Sequence, residues 1–375
     1  MQVFTHASVY IVYYSMPCFR LHTASATYTA SDIQNQTDQQ HDALTATALG
    51  LCKDWFDGKE WFELKTSGST GAPKIISIHR SQIEASVNAS MDFFELQPCD
   101  TVVCPLSMQV IGGQMMLYRS MIGGLDLYIL PADKSISQLD TSVGYVFMPV
   151  SAIQLYELLQ HHPDKVAALN RMKNILIGGS SISDALLASI RKQLQTTVWQ
   201  SYGMTETVSH VAMRCVHPDT EAYYTALPDI EIAVDPRGCL KIKGAVTRHQ
   251  WLQTNDIVSL RNEKQFLFIG RADFTVNSGG IKIQVEPVEK IIDTLFQEWQ
   301  INTAFFVAGK ADDAFGEKLI LVVEDPDLSP ELQTNILHEL GKRLPKYHTP
   351  KAIQTIRFCY TASGKINRSE TLRQK

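Results

Sequence analysis

No stretch of the 375-residue chain stays apolar for the length that a bilayer requires, so the sequence predicts no membrane span. Basic residues are not in excess. Lys and Arg total 34 against 39 Asp and Glu, for a net charge of −5, which leaves no positive field for nucleic acid or an anionic surface. The chain has no CxxC pair, and its seven cysteines (Cys18, Cys52, Cys99, Cys104, Cys215, Cys239 and Cys359) are scattered and odd in number. That pattern predicts reduced thiols in a cytoplasmic protein. It offers no zinc framework, because His161-His162 is a lone adjacent pair. A secretory leader is not predicted, since no Lys or Arg precedes Arg20 and the apolar run from Val9 to Tyr14 is short. Residues 21–47, rich in Thr, Ala, Gln, Ser and Asp, read as poorly ordered. Met16 is a candidate start, which N-terminal sequencing of the native protein would test.

The composition, 45% hydrophobic and 19% charged, is that of a globular protein, and the length predicts two domains or three. The richest signal is TSGSTGAPK at residues 66–74. Its small residues let successive backbone N–H groups converge on an anion. Thr66, Ser67, Ser69 and Thr70 add hydroxyl donors, Gly68 and Gly71 leave room, and Lys74 brings a mobile positive charge. Such a loop would hold a polyphosphate such as that of ATP. It is not a Walker loop, because Pro73 occupies the place of the glycine before the lysine. A flexible turn between two strands is the other reading. In an acidic protein, a nucleotide loop points to a small anion rather than to DNA.

Strands and helices then alternate. Residues 75–78 read as a strand and 81–94 as a helix with Ser81 at its N-cap. Residues 101–104, 127–130 and 145–148 read as strands, and a helix over 151–159 follows Pro149. ILIGG (175–179), a helix over 183–194 and TVWQSYG (197–203) form a strand–helix–strand unit, the mark of a parallel sheet. Ligands in such sheets sit beyond the carboxyl ends of the strands, where Gly178, Gly179 and Ser180 end one strand and Tyr202 and Gly203 the next. In GMTET (203–207), Glu206 is placed to hold Mg²⁺ beside phosphate, Thr205 to donate to a phosphate oxygen, and Tyr202 to stack on a purine. A capped helix turn is the simpler reading of that segment. Asp256 reads either as an Asx turn or as an acceptor for both hydroxyls of a ribose. Lys365, after Ser-Gly on a loop, reads on its own as a solvated charge.

Taken in order, TSGSTGAPK, GGS, YGMTET, TND, GRADFTVNSGGIKI and TASGKINR make residues 62–370 similar to the adenylate-forming superfamily of acyl-CoA synthetases, adenylation domains and luciferases. The resemblance implies an α/β fold. A large N-terminal domain with parallel and mixed sheets and helices, shortened here at its start, precedes a small C-terminal α+β domain. The division expected is a poorly ordered extension (1–47), an ATP- and acyl-binding domain (48–271) and a mobile domain (272–375). The implied reaction joins a small carboxylic acid to ATP as acyl-AMP and then passes the acyl group to a thiol, commonly coenzyme A. By the same resemblance, residues 66–74 cradle the β- and γ-phosphates, and Gly179 and Ser180 line the adenine on which Tyr202 stacks. Thr205 meets the α-phosphate, Glu206 holds Mg²⁺, and Asp256 binds the ribose with Arg271 close by. Asp273 matches the hinge, Gly279 and Gly280 the passage for pantetheine, and Lys365 the catalytic lysine.

The chain departs from the family pattern in three places. Asn255 replaces the glycine of a TGD triplet, Met108 or Gln109 stands where many members carry a histidine, and the phosphate loop begins early. The core must then bury its surface without that part or by pairing with a second subunit, which makes a homodimer one of the two expectations. Size and the segment PLSMQVIGGQMM resemble the compact o-succinylbenzoate–CoA ligases of bacterial menaquinone synthesis. Met108, Met115 and Met116 either shape an aromatic-acid pocket or simply fill the core. Gln109, Ser209 and His210 are the candidate partners for a second carboxylate of the acid. The alternatives within the superfamily are another acyl- or aryl-CoA ligase, an adenylation enzyme that loads a carrier protein, and a non-catalytic nucleotide-binding relative.

Overall fold

The computed structural model describes residues 18–35, 41–65, 75–178, 182–278, 281–312, 316–325, 327–360 and 366–374. In chain order the first half contains β1 (Arg20–His22), β2 (Thr27–Thr29), α1 (Ala30–Gln34), α2 (Ala43–Phe56), β3 (Trp61–Lys65), β4 (Ile75–His79), α3 (Arg80–Phe94), β5 (Thr101–Cys104), α4 (Ile111–Gly123) and β6 (Asp126–Ile129). There follow β7 (Phe147–Val150), α5 (Ala152–His161), α6 (Pro163–Leu169), β8 (Asn174–Ile177), α7 (Asp184–Gln193) and β9 (Thr197–Gly203). Antiparallel strands come next: β10 (His210–His217), β11 (Tyr224–Ala226), β12 (Glu231–Val234), β13 (Cys239–Lys243), β14 (Leu252–Leu260) and β15 (Gln265–Arg271). The chain ends with β16 (Val276–Ser278), β17 (Ile281–Ile283), α8 (Val285–Glu298), β18 (Phe305–Asp312), β19 (Gly316–Val323), α9 (Pro330–Arg343), β20 (Ala352–Thr355) and α10 (Arg368–Arg373).

One 13-stranded sheet runs β12-β13-β14-β15-β11-β10-β9-β8-β7-β5-β6-β1-β2. Its central run, from β9 through β8, β7, β5 and β6 to β1, is parallel. Of these, β5, β7 and β8 are short apolar runs because both faces are covered. Val102, Cys104, Phe147 and Leu176 face one core cluster, while Val103, Met148, Ile175 and Ile177 face the other. The connecting helices are fixed at their starts by side chains that take up orphan N–H groups. Ser151 and Gln154 form a capping box on α5, and Ser183 Oγ accepts the Leu186 N–H on α7. The carboxyl-terminal residues build a second sheet, β17-β16-β19-β18, with β20 beside β19. Alternation there is strict: Leu319, Leu321 and Val323 face α8 and α9, while Ile320 and Val322 face Phe306 and Phe358.

Four expectations need correction. Part of the segment read as poorly ordered is structured: β1 and β2 form a hairpin on the sheet edge, with Leu21 fully buried, and α1 follows. His79, not Ser81, caps α3, its ring Nδ1 accepting the Ser81 N–H at 3.2 Å. The strand ending before Pro149 in fact runs through it to Val150. Pro149 is tolerated because pairing with β5 is limited to Phe147, so beyond that point this side of the strand needs no donor. Finally, not all cysteines are thiols: Cys18 and Cys99, 81 residues apart, form a disulfide. Cys52, Cys104 and Cys239 are buried free thiols, and burial pushes Cys104 up to about 12. No helix among the described residues is long and apolar enough to cross a membrane.

Candidate active site

Parallel β8 and β9 lie side by side, with Ile177 opposite Gln200, so their carboxyl ends open at one place. At the end of β9 the chain turns sharply through a 3₁₀ helix, Thr205–Thr207. Thr207 Oγ1 fixes this turn by accepting the Met204 N–H at 3.0 Å and lying 2.7 Å from the Ser209 carbonyl. Gly203 is required there, because a Cβ would sit 2.2 Å from that carbonyl oxygen. Thr205 is half-buried and Glu206 points into solvent. Among the described residues no group of three or more His, Cys, Asp or Glu is placed to hold a metal. A magnesium ion shared with a polyphosphate asks less: one or two carboxylates, with phosphate and water oxygens completing the shell. Glu206, in no ion pair among the described residues, fits that need.

Four sequence-predicted residues from three separate segments meet in one hydrogen-bonded string. Tyr202 donates its hydroxyl to Asp256 Oδ2 at 2.5 Å. Arg271 Nη1 donates to Asp256 Oδ1 at 3.2 Å, and its Nη2 donates to Asp273 Oδ2 at 2.7 Å. Asn255, the departure from the family triplet, donates to Asp273 Oδ1 at 3.0 Å. The register explains the meeting, since Asp256 on β14 lies directly opposite Arg271 on β15. Asp256 sits inside β14 rather than in an Asx turn, and only 5% of it is exposed. Burial first, and then the Asp256 carboxylate, hold the Tyr202 phenol well above its ordinary value of 10. For Arg271 burial works downward, but the Asp273 hydrogen bond and the two carboxylate charges outweigh it and the pKa rises. The Tyr202 ring packs edge-on against Phe266, with centroids 5.0 Å apart.

A second cluster lies under α4. Arg119 is 2% exposed, and its helix, IGGQMMLYRSMIG, is otherwise free of charge. Its guanidinium donates to Ser90 Oγ at 3.3 Å and to Met116 Sδ at 3.0 Å, while Nε finds no acceptor. No carboxylate among the described residues pairs with it. Burial lowers its pKa to about 10, which still leaves it charged at neutral pH. His210, also buried, places Nε2 2.7 Å from Ser90 Oγ and Nδ1 3.3 Å from Ser209 Oγ. Burial and then the Arg119 charge hold this imidazole well below 6.5, so it is neutral. Ser90 Oγ already donates to the Ser86 carbonyl at 2.8 Å, so it accepts from His210, which fixes the Nε2–H tautomer.

The neutral histidine has a measurable consequence. An unfolded chain takes up a proton near pH 6.5, and the folded one does not. Stability is therefore expected to fall below that pH, by up to about 1.4 kcal/mol per pH unit. Urea unfolding at pH 5 and pH 7 measures this, and His210→Asn should remove the difference. An unchanged slope in that variant would remove His210 as its source.

Of the candidate acid-binding residues, Ser209 and His210 thus lie together, whereas Gln109 is exposed in the turn before α4 and takes no part in the cluster. Met108, Met115 and Met116 are core residues, and Met116 also touches the guanidinium. Thr66, Ser67, Gly68, Ser69, Thr70, Gly71 and Lys74 lie outside the described residues, as do Gly179, Ser180, Gly279, Gly280 and Lys365. Sequence reading missed Arg119 and Ser90. The signal was a single arginine in an apolar helix, since such a residue is almost never buried unless something pairs with it.

The strand order, the parallel run continued by antiparallel strands and the separate carboxyl-terminal sheet define an adenylate-forming fold. A family model described as AMP-binding enzyme matches residues 64–245. An acyl-CoA synthetase (AMP-forming)/AMP-acid ligase II-like protein from Dyadobacter fermentans is 33% identical, with a TM-score of 0.61, covering 92% of this chain and 98% of that one. The 2-succinylbenzoate–CoA ligase of Listeria monocytogenes is 28% identical over 351 residues, 86% of this chain and 72% of the relative. The o-succinylbenzoate coenzyme A synthetase MenE of Bacillus subtilis, solved with ATP and magnesium ion, is 23% identical, with a TM-score of 0.69, covering 83% of this chain and 69% of that one. The chain belongs to the AMP-binding enzyme family.

Proposed function

We propose that this chain is an ATP-dependent carboxylate–CoA ligase whose acid is o-succinylbenzoate. The observation that carries the substrate assignment is Arg119, a buried cation without a carboxylate partner among the described residues, set beside a neutral histidine. Burying a charge unpaired is costly, so such a site fits an acid that brings a second carboxylate. The names of the relatives support the same acid. In this reading one carboxylate oxygen of the substrate attacks the α-phosphorus of ATP and pyrophosphate leaves. The sulfur of coenzyme A then attacks the acyl carbon, and AMP leaves with the bonding pair.

The Tyr202–Asp256–Arg271 string is suited to the nucleoside, since each Asp256 oxygen keeps a lone pair for a ribose hydroxyl. Thr205 and Lys365 are assigned to the α-phosphate, residues 66–74 to the β- and γ-phosphates, and Gly179 and Ser180 to the adenine. Glu206 is the Mg²⁺ ligand, and that ion would neutralise charge developing on the phosphate oxygens. Gly279 and Gly280 line the entry of pantetheine, and Asp273 is the hinge between residues 48–271 and 272–375. A cytoplasmic location and a homodimer are the remaining parts of this reading.

Pyrophosphate exchange into ATP, measured against a panel of acids, tests it. Exchange should be strong with o-succinylbenzoate and about a hundredfold weaker in kcat/KM with the analogue that lacks the ring carboxylate. Equal exchange with that analogue, or with a simple fatty acid, would contradict the substrate assignment.

A further inference from the structure

Strand β15 ends at Arg271, and α8, the first helix of the carboxyl-terminal sheet, begins at Val285. Glu286 in the first turn of α8 reaches back across that junction. Its Oε1 accepts the Arg271 N–H at 2.8 Å. Its Oε2 lies over Gly270, where a Cβ would come within 2.4 Å of it. The side chain of the same Arg271 binds Asp256 and Asp273, so one residue is gripped through its backbone from α8 and through its guanidinium from β14. Other bonds from α8 to the large sheet's elements are weaker. Lys290 lies 3.6 Å from Asp184, and Thr294 Oγ1 is 3.5 Å from the same exposed carboxylate.

The grip is also incompletely satisfied. Glu286 Oε2 and Gln284 Oε1 are buried acceptors without a donor among the described residues, and both crowd Gly270. Gln284 meanwhile donates to Thr275 Oγ1 at 2.8 Å, in the link between the two sheets. A buried contact that leaves two acceptors unpaired favours one arrangement without locking it.

We propose that Glu286 is a positioning residue, a releasable latch that holds the carboxyl-terminal sheet against β15 in one of two working orientations. The proposal rests on the reading that acyl-AMP formation and thioester formation use different orientations of residues 272–375. Glu286 touches no substrate in it. The residue acts by fixing the backbone of Arg271, and its release frees the hinge at Asp273.

The test compares wild type with Glu286→Gln and Gly270→Ala, which disturb the latch from its two sides. Each full-length protein is assayed for pyrophosphate exchange with o-succinylbenzoate and, separately, for thioester formation from supplied o-succinylbenzoyl adenylate. Both variants should change the ratio of the two rates about tenfold, the weight of one hydrogen bond to a charged group, while melting within about 3 °C of wild type. Hydrogen exchange at the Arg271 amide should quicken by a similar factor in Glu286→Gln. A merely structural role would lower both rates by the same factor in both variants, and that result, or unchanged exchange at the amide, would overturn the latch. If the wild type makes no acyl adenylate, the functional reading fails, and amide exchange alone decides the latch.

Discussion

Replacing Arg119 with methionine is expected to lower kcat/KM for o-succinylbenzoate about a hundredfold while leaving the KM for ATP within about twofold. The same change should stabilise the protein, by about 1–2 kcal/mol in urea unfolding. Both effects have one origin. The guanidinium is buried between Ser90 and Met116, with its Nε unsatisfied and no carboxylate beside it. A cation in that position is a burden on the fold until an anion arrives. Methionine fills similar volume without charge, so the fold gains what binding loses. Arg119→Lys should fall between, keeping the charge but not the planar fork. The comparison that matters is the acid with and without its ring carboxylate. If Arg119→Met weakens both equally, the arginine does not read that group.

Asp256→Asn is expected to raise the dissociation constant of a nonhydrolysable ATP analogue about thirtyfold, measured by calorimetry. The amide keeps one acceptor for the Tyr202 hydroxyl, but its NH₂ group then faces Arg271, donor against donor. Arg271 retains Asp273 as a partner, and about a third of its side chain is exposed, so the loss in stability should be modest, about 1–2 kcal/mol. Tyr202 should ionise more readily once the neighbouring charge is gone, because that charge adds to burial in holding the phenol up. Spectroscopic titration of the tyrosine reads this directly. Unchanged nucleotide affinity in a folded variant would remove Asp256 from the nucleotide site.

Much of this arrangement was legible because the local and the distant signals agreed. The strand Thr197–Gly203 and the helix starts near Ser151 and Ser183 follow from alternation and helix-start chemistry that need no tertiary knowledge. Tyr202, Asp256 and the pair Arg271 and Asp273 were nominated by three separate motifs, and the sheet register then brings them together. Other features were hidden because packing decided them. In the β1–β2 hairpin, Leu21 and Tyr28 are diluted by polar neighbours, so composition suggested disorder where two buried side chains suffice. Pro149 ended the sequence-derived strand, although which neighbour still pairs beyond Phe147 is a property of the sheet. Arg119 was overshadowed by the methionines around it, and nothing in a periodic pattern says that a guanidinium will be enclosed rather than snorkel outward.

Strand β1, between β6 and the edge strand β2, has a consequence for how the protein is made. Leu21 has as its parallel neighbour Leu127, 106 positions further along. On a ribosome adding about 5–20 residues per second, the nascent strand waits roughly 5–20 s for its partner to be synthesised. Until then the hairpin with β2 is its only pairing, and the side of the strand that will join β6 stays open. Translation rate between residues 22 and 127, rather than the stability of the finished fold, thus governs how long this strand is exposed to aggregation.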